Sequence, residues 1–256
     1  MLGAIVGDIV GSVYEFDNHK SKDFLFFKKN CFFTDDTVMT LAVAEGIMNG
    51  GRPEDYVAAM RRLGTAYPKC SYGRRFTEWL ASDDPKPYNS LGNGSAMRVA
   101  PAGWAGKTLE DALRIARESA AVTHDHPEGI KGAEAVAACV WLARNGKSRD
   151  EIREYVWLNY YPLDFTLDEI RAGYKFDETC PGTVPQAIAA FLESEDFISA
   201  VRLAVSIGGD SDTIAAMAGA VAEAYYGLPG YARLQALSYL DDELCSIVTR
   251  WEAWCK

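Results

Sequence analysis

The stretch SIGGDSDTIAAMAGAVAEAYY, residues 206 to 226, decides how this chain is read. Ser211, Asp212 and Thr213 are N-cap types and the Gly208-Gly209 pair suits a tight turn, so a helix is predicted to open there. Past its mouth only Thr213 and Glu223 are strongly polar, and many Ala and Gly residues let neighbouring helices approach from every side. That is the pattern of a central helix in a helical domain. Near the other end of the chain, Thr34, Asp35, Asp36 and Thr37 open a second apolar run, VMTLAVAEGIM, with the same chemistry. If both helices are central their N-terminal ends can meet, and Asp35, Asp36, Asp210 and Asp212 then converge.

Taken singly, each motif is explained as a cap, with Thr34 and Asp212 as good N-caps and acids favoured in a first turn by the helix dipole. A cap needs one side-chain acceptor, however, and these two segments supply four carboxylates. Grouped carboxylates raise one another's pKa unless a cation neutralises them. Oxygen donors with no Cys or His nearby suit Mg²⁺ or Mn²⁺ rather than zinc.

The chain has 256 residues, 48% of them hydrophobic, enough for one sizeable core. It contains no linker, low-complexity tract or repeat of solenoid period, and a single domain over 1-256 is expected. A net charge of -10 without any Lys/Arg block argues against nonspecific nucleic-acid binding. The six cysteines form no CxxC pair and no signal peptide is evident, which reads as reduced thiols in a cytoplasmic protein. Glycines at 3, 7 and 11 make one smooth stripe in MLGAIVGDIVGSVYEF, against which another helix can pack. This segment is too short to span a membrane, and Asp8 interrupts it. Asp8 is most simply a buried acid held by hydrogen bonds, with a direct chemical role as the alternative.

Further helices are expected at 53 to 63, 69 to 80, 108 to 121, 128 to 144, 148 to 158, 184 to 193, 196 to 206, 231 to 239 and 241 to 254. Residues 17 to 33 and SDDPKPYNS, 82 to 90, read as loops. No period-2 run is long enough for a sheet, so the predicted fold is all-α. In the GNGS turn at 92 to 95, glycines can expose backbone N–H groups to an anion, with AMRVAPAGW supplying a helix N-terminus behind them. An ordinary glycine turn and cap is the competing account. Arg98, in that helix, points away from the turn and reads as an ion-pair partner. His124 and His126 flank Asp125, but Mg²⁺-type sites prefer oxygen, which favours loop groups that cap the next helix. The aromatics between 159 and 183 either wall a cleft or cover the core.

Five motifs occur in order over almost the whole chain: GDIVGSVYE at 7 to 15, FTDDTVM at 33 to 39, GNGSAMR at 92 to 98, THDHPEGIKGA at 123 to 133 and GGDSDT at 208 to 213. Together they resemble the ADP-ribosylglycohydrolase family. The resemblance implies a compact orthogonal multi-helix domain and a hydrolase that cleaves the bond at C1'' of the distal ribose in an ADP-ribosylated acceptor. It implies two Mg²⁺ or Mn²⁺ ions held by Thr34, Asp35, Asp36, Asp210, Asp212 and Thr213. Glu15 at the rim, or Asp36 or Asp212, would take the proton of water. Gly92, Asn93, Gly94, Ser95, Met97 and His124 would line the ADP-ribose pocket. A monomer is the default expectation, and His126 has no assigned role. Two other readings stand beside this one: a noncatalytic crystallin-like or ADP-ribose-binding protein, and a metal-dependent nucleotide phosphohydrolase.

Overall fold

Fifteen helices and no strands make up the chain in a computed structural model that describes residues 1–256, so the fold is all-α as expected. In order the helices are α1 (Leu2–Gly11), α2 (Asp35–Met48), α3 (Pro53–Ala66), α4 (Arg74–Ala81), α5 (Gly94–Met97), α6 (Ala100–Ala105), α7 (Leu109–Ala121) and α8 (Pro127–Arg144). They continue with α9 (Arg149–Asn159), α10 (Leu167–Arg171), α11 (Cys180–Leu192), α12 (Phe197–Val205), α13 (Ser211–Tyr226), α14 (Gly230–Leu237) and α15 (Asp242–Trp254).

The glycine stripe of α1 lies directly on α13. A Cβ on Gly7 would sit 2.0 Å from the carbonyl oxygen of Ala215, and one on Gly3 would sit 2.2 Å from that of Gly219. Any side chain would force the helices apart, so the spacing at 3, 7 and 11 is what permits backbone contact. Helix α13 is buried from Ser211 to Ala222 and is also packed by α8, α11 and α12, which makes it the central helix. Helix α2 is buried from Asp36 to Ile47 and covered by α3 and α15. On it Glu45 accepts from Arg62 of α3 at 2.6 Å and Arg250 of α15 at 2.8 Å. Burial alone would raise its pKa, but the two guanidiniums outweigh burial and hold it below the usual carboxylate range.

Besides the unexpected short helix α10, three segments depart from expectation for local reasons. Helix α4 starts at Arg74 rather than near 69, because Ser71 takes a left-handed φ of 62° that no helix accommodates. The run AMRVAPAGW is split into α5 and α6: Pro101 has no N–H for the Met97 carbonyl, which accepts from Thr40 Oγ1 at 3.5 Å instead. Helix α11 begins four residues before 184, with Thr179 accepting from the Gly182 N–H at 3.1 Å and Pro181 in the first turn. That early start has a consequence for the GNGS turn. Asn93 N donates to Glu178 O at 2.8 Å and Cys180 N to Leu91 O at 2.9 Å, an antiparallel bridge between Gly92 and Thr179. All six cysteines are free thiols, and no helix is long and apolar enough to cross a membrane.

Candidate active site

The mouth of α2 is built on Asp8. This acid is fully buried on α1, and its carboxylate accepts from Thr34 N at 3.0 Å, Thr34 Oγ1 at 2.8 Å, Thr37 N at 3.1 Å and Thr37 Oγ1. Burial raises its pKa to about 6 against the pull of those donors. The buried-acid reading of Asp8 therefore holds. Thr34 is the N-cap of α2, with its hydroxyl accepting from Asp36 N at 3.3 Å.

The mouth of α13 differs from the expected cap. Its N-cap is Asp210, which makes no side-chain cap bond, while Asp212 lies inside the first turn and caps nothing. The register is set by Gly208 and Gly209, both left-handed at φ 68° and 77°, and by Asn93, whose Nδ2 donates to Asp210 Oδ2 at 2.7 Å. The two mouths meet. Thr213 Oγ1 of α13 donates to Asp36 Oδ2 of α2 at 3.2 Å.

Within this junction, carboxylate oxygens of Asp8, Asp36 and Asp212 lie within 4.8 Å of one another, and so do those of Glu15, Asp210 and Asp212. Asp212 belongs to both groups. Burial, then the neighbouring carboxylates, raises Asp36 and Asp212 well above the usual range. Asp35 lines the same cleft and is raised for the same reasons, although it belongs to neither group. Glu15, half-buried at the rim, is raised to about 7 by burial, Asp210 and Asp8. The Oδ1 atoms of Asp36 and Asp212 are buried with no hydrogen-bond partner. Buried acceptor atoms without a donor are costly, and an all-oxygen cluster is what a hard divalent cation needs, so these residues fit Mg²⁺ or Mn²⁺.

The acids floor one part of a cleft of about 450 Å³. Gly92, Asn93, Gly94, Met97 and His124 also line it, as does Phe176, while Tyr161 of the same aromatic-rich segment is buried. The Ser95 side chain faces the interior instead, donating to Gly129 O at 2.7 Å. Helix α5 is a single turn without a long helix dipole, and Gly92 N and Asn93 N donate to Ser90 Oγ at 3.1 Å and Glu178 O at 2.8 Å, which leaves Gly94 N as the glycine-turn amide open to an anion. The two non-glycine residues with left-handed φ, Ser71 and Asn89, both lie on the cleft wall, a placement typical of functional sites. A separate concavity of about 360 Å³ beside Ser148 and Tyr225 holds no acid cluster, and its Arg149 is taken up by the Leu192 and Ser194 carbonyls.

One single-residue reading changes and another is met, the loop group that caps the next helix being His126. Arg98 makes no ion pair: it is buried against the end of α7, where Nη2 donates to Thr123 Oγ1 at 2.7 Å and no carboxylate is within reach. Burial pushes its pKa down to about 10. His126 acquires a role as the N-cap of α8, with Nδ1 accepting from Glu128 N at 3.1 Å. Sequence reasoning also missed the strap that follows Glu15. Asn18 Oδ1 accepts from Gly209 N at 2.6 Å, and Lys20 Nζ donates to the carbonyls of Tyr174 and Ile207, tying the 16 to 20 loop onto the GGDSDT turn.

A family model described as ADP-ribosylglycohydrolase matches residues 1–252. ADP-ribosylhydrolase ARH3 of Xenopus tropicalis is 26% identical, over 95% of this chain and 91% of its own. ADP-ribosylarginine hydrolase Tri1 of Pseudomonas putida (strain GB-1) is 28% identical, over 90% of this chain and 70% of its own. Among solved structures, a chain of an ADP-ribosylglycohydrolase-related protein complex superposes with a TM-score of 0.72 at 27% identity, covering 100% of this chain and 96% of that one. The chain belongs to the ADP-ribosylglycohydrolase family.

Proposed function

We propose that this chain is a divalent-metal-dependent ADP-ribosylhydrolase, cleaving the bond between C1'' of the distal ribose and an acceptor. The observation that carries the reading is the junction of the two helix mouths. Thr213 hydrogen-bonds Asp36 there, and the buried Oδ1 atoms of Asp36 and Asp212 have no protein partner. Thr34, Asp35, Asp36, Asp210, Asp212 and Thr213 would hold two Mg²⁺ or Mn²⁺ ions. The chemistry such a pair supplies is orientation of the ribose hydroxyls and acidification of a water.

Glu15 takes the proton of the attacking water, since its carboxylate stands half-buried at the rim of the cleft, beside Asp210 and Asp212. Asp36 and Asp212 are the alternative acceptors. The water oxygen bonds to C1'' as the C1''–acceptor bond breaks, and the proton taken by Glu15 passes on to the departing acceptor. The backbone N–H of Gly94, together with His124, holds the diphosphate, Gly92 N and Asn93 N being taken by Ser90 Oγ and the Glu178 carbonyl, and Met97 supplies apolar wall. The free thiols and the absence of any long apolar helix are in keeping with a cytoplasmic protein, which we take to act as a monomer.

The test is a hydrolysis assay on defined ADP-ribosylated arginine and serine peptides. Chelation is expected to abolish turnover, with Mg²⁺ or Mn²⁺ restoring it better than Zn²⁺, and the product is expected to be ADP-ribose with its diphosphate intact. Full activity after metal stripping overturns the metal claim. Release of AMP and ribose phosphate overturns the choice of bond.

A further inference from the structure

Three polar groups stand in line behind the GNGS turn. Arg98, fully buried and without a carboxylate, donates through Nη2 to Thr123 Oγ1 at 2.7 Å. The same hydroxyl lies 2.7 Å from His124 Nδ1. The opposite ring nitrogen, Nε2, faces the turn: a Cβ on Gly94 would sit 3.2 Å from it, and one on Gly92 3.6 Å.

The direction of this chain follows from counting donors. Arg98 can only donate, so Thr123 Oγ1 accepts from it and keeps one proton to give. Two acceptors compete for that proton, His124 Nδ1 at 2.7 Å and the Ala120 carbonyl at 3.3 Å. The carbonyl already accepts from Thr123 N at 3.1 Å and His124 N at 2.8 Å. The hydroxyl's second lone pair offers an alternative, an Nδ1–H donor with the hydroxyl proton passed to Ala120 O, but that carbonyl already has two donors and lies farther away, so the geometry favours Nδ1 as acceptor with the ring proton on Nε2.

We propose that Thr123, itself held by Arg98, is a positioning residue that locks His124 as the Nε2–H tautomer, so that the ring donates to an anionic oxygen lying on the Gly92–Gly94 turn. The identity of that oxygen as part of the ADP-ribose diphosphate rests on the function proposed above. The inference assigns a task to a buried, unpaired guanidinium and to a threonine that the five sequence motifs do not explain. Burial, together with Arg98 and Arg75, holds the His124 imidazole well below its ordinary pKa, which keeps the ring neutral and makes its tautomer matter.

The experiment uses ¹⁵N-histidine-labelled protein near pH 8. The chain has three histidines, and a His124→Gln variant identifies the signal. In the ligand-free parent, His124 is expected to show the Nε2–H pattern. Thr123→Val, which keeps the side-chain shape but removes the hydroxyl, is expected to lose that preference and to bind ADP-ribose about tenfold more weakly. Thr123→Ser is expected to restore both, which a packing role for the methyl group would not do. An Nδ1–H pattern in the parent, or an unchanged tautomer and affinity in Thr123→Val, overturns the proposal. Should the valine variant fail to fold, the parent tautomer decides alone. A parent that shows the Nε2–H pattern but does not bind ADP-ribose sinks the functional reading and leaves the relay standing.

Discussion

Gly94 has a φ that any residue can adopt, so what its missing side chain provides is room. With a Cβ only 3.2 Å from His124 Nε2, a β-branched substituent at 94 fills the space where an anion would lie between the turn and the ring. Gly94→Val is expected to weaken ADP-ribose binding by roughly tenfold or more while leaving metal-induced stabilisation intact, as read by calorimetry with each ligand in turn. Unchanged affinity would make this an ordinary turn. Which acids are free was not legible in the sequence, because Asp210, Ser211 and Asp212 are all cap types. The choice depends on Asn93, 117 positions away, which draws Asp210 aside. The same limit applies to Arg98: its partner is a threonine hydroxyl, and nothing local to GNGSAMR announces that no carboxylate waits for it.

The glycine stripe of α1 was legible as a stripe, since a four-residue spacing stays on one helical face, but its partner was not. That partner carries the site. A Cβ on Gly11 would meet Asp212 Cα and Ser211 O, each at 2.5 Å, so the stripe sets the depth of the α13 mouth as well as the packing. Gly11→Ala is therefore expected to leave a folded protein whose Asp212 is displaced, with activity down by about 10²-fold and a smaller metal-induced Tm shift. Gly230→Ala, where nothing lies within 4 Å, is the matched control and is expected to be neutral. Equal behaviour of the two variants would separate α1 packing from the site. Elements with strong local signals were read well; α7 and α9, for instance, start one residue after Thr108 and Ser148, which cap them. Helix α10 was missed although Thr166 and Glu169 form a capping box, because its single turn lacks a periodic apolar face to accompany the cap. The Gly92–Thr179 bridge was out of reach, since a single pair has no period at all.

Grouping six carboxylates, four of them buried, around two helix mouths couples the stability of the molecule to both protons and metal. Asp8 and Glu15 are raised to about 6 and about 7, with Asp36 and Asp212 raised well above the usual range. An acid whose folded pKa is raised holds its proton more tightly in the native state. The cluster's contribution to the stability of the metal-free protein should therefore be fully present below the unfolded carboxylate range near pH 4 and be lost as pH rises through about 6 to 7. Metal binding displaces those protons, so stabilisation by metal should grow over the same interval, which thermal melts at pH 5, 6 and 7 with and without Mg²⁺ would reveal. At 100 times Kd the expected gain is about 2.7 kcal/mol, roughly 5–10 °C in a chain of this size. A metal effect that shrinks with rising pH would contradict the cluster. The measurement closest to the central claim, that the mouths of α2 and α13 make one metal site, is a double-mutant cycle on activity and metal stabilisation with Asp36→Asn and Asp212→Asn. Each change removes one charge at nearly constant volume and loses no cap, because Thr34 caps α2 and Asp212 caps nothing. Each single variant is predicted to fold, to lose most activity and most metal stabilisation, and to leave the double variant scarcely worse than either. Independent, additive losses with metal stabilisation intact in both single variants would contradict it.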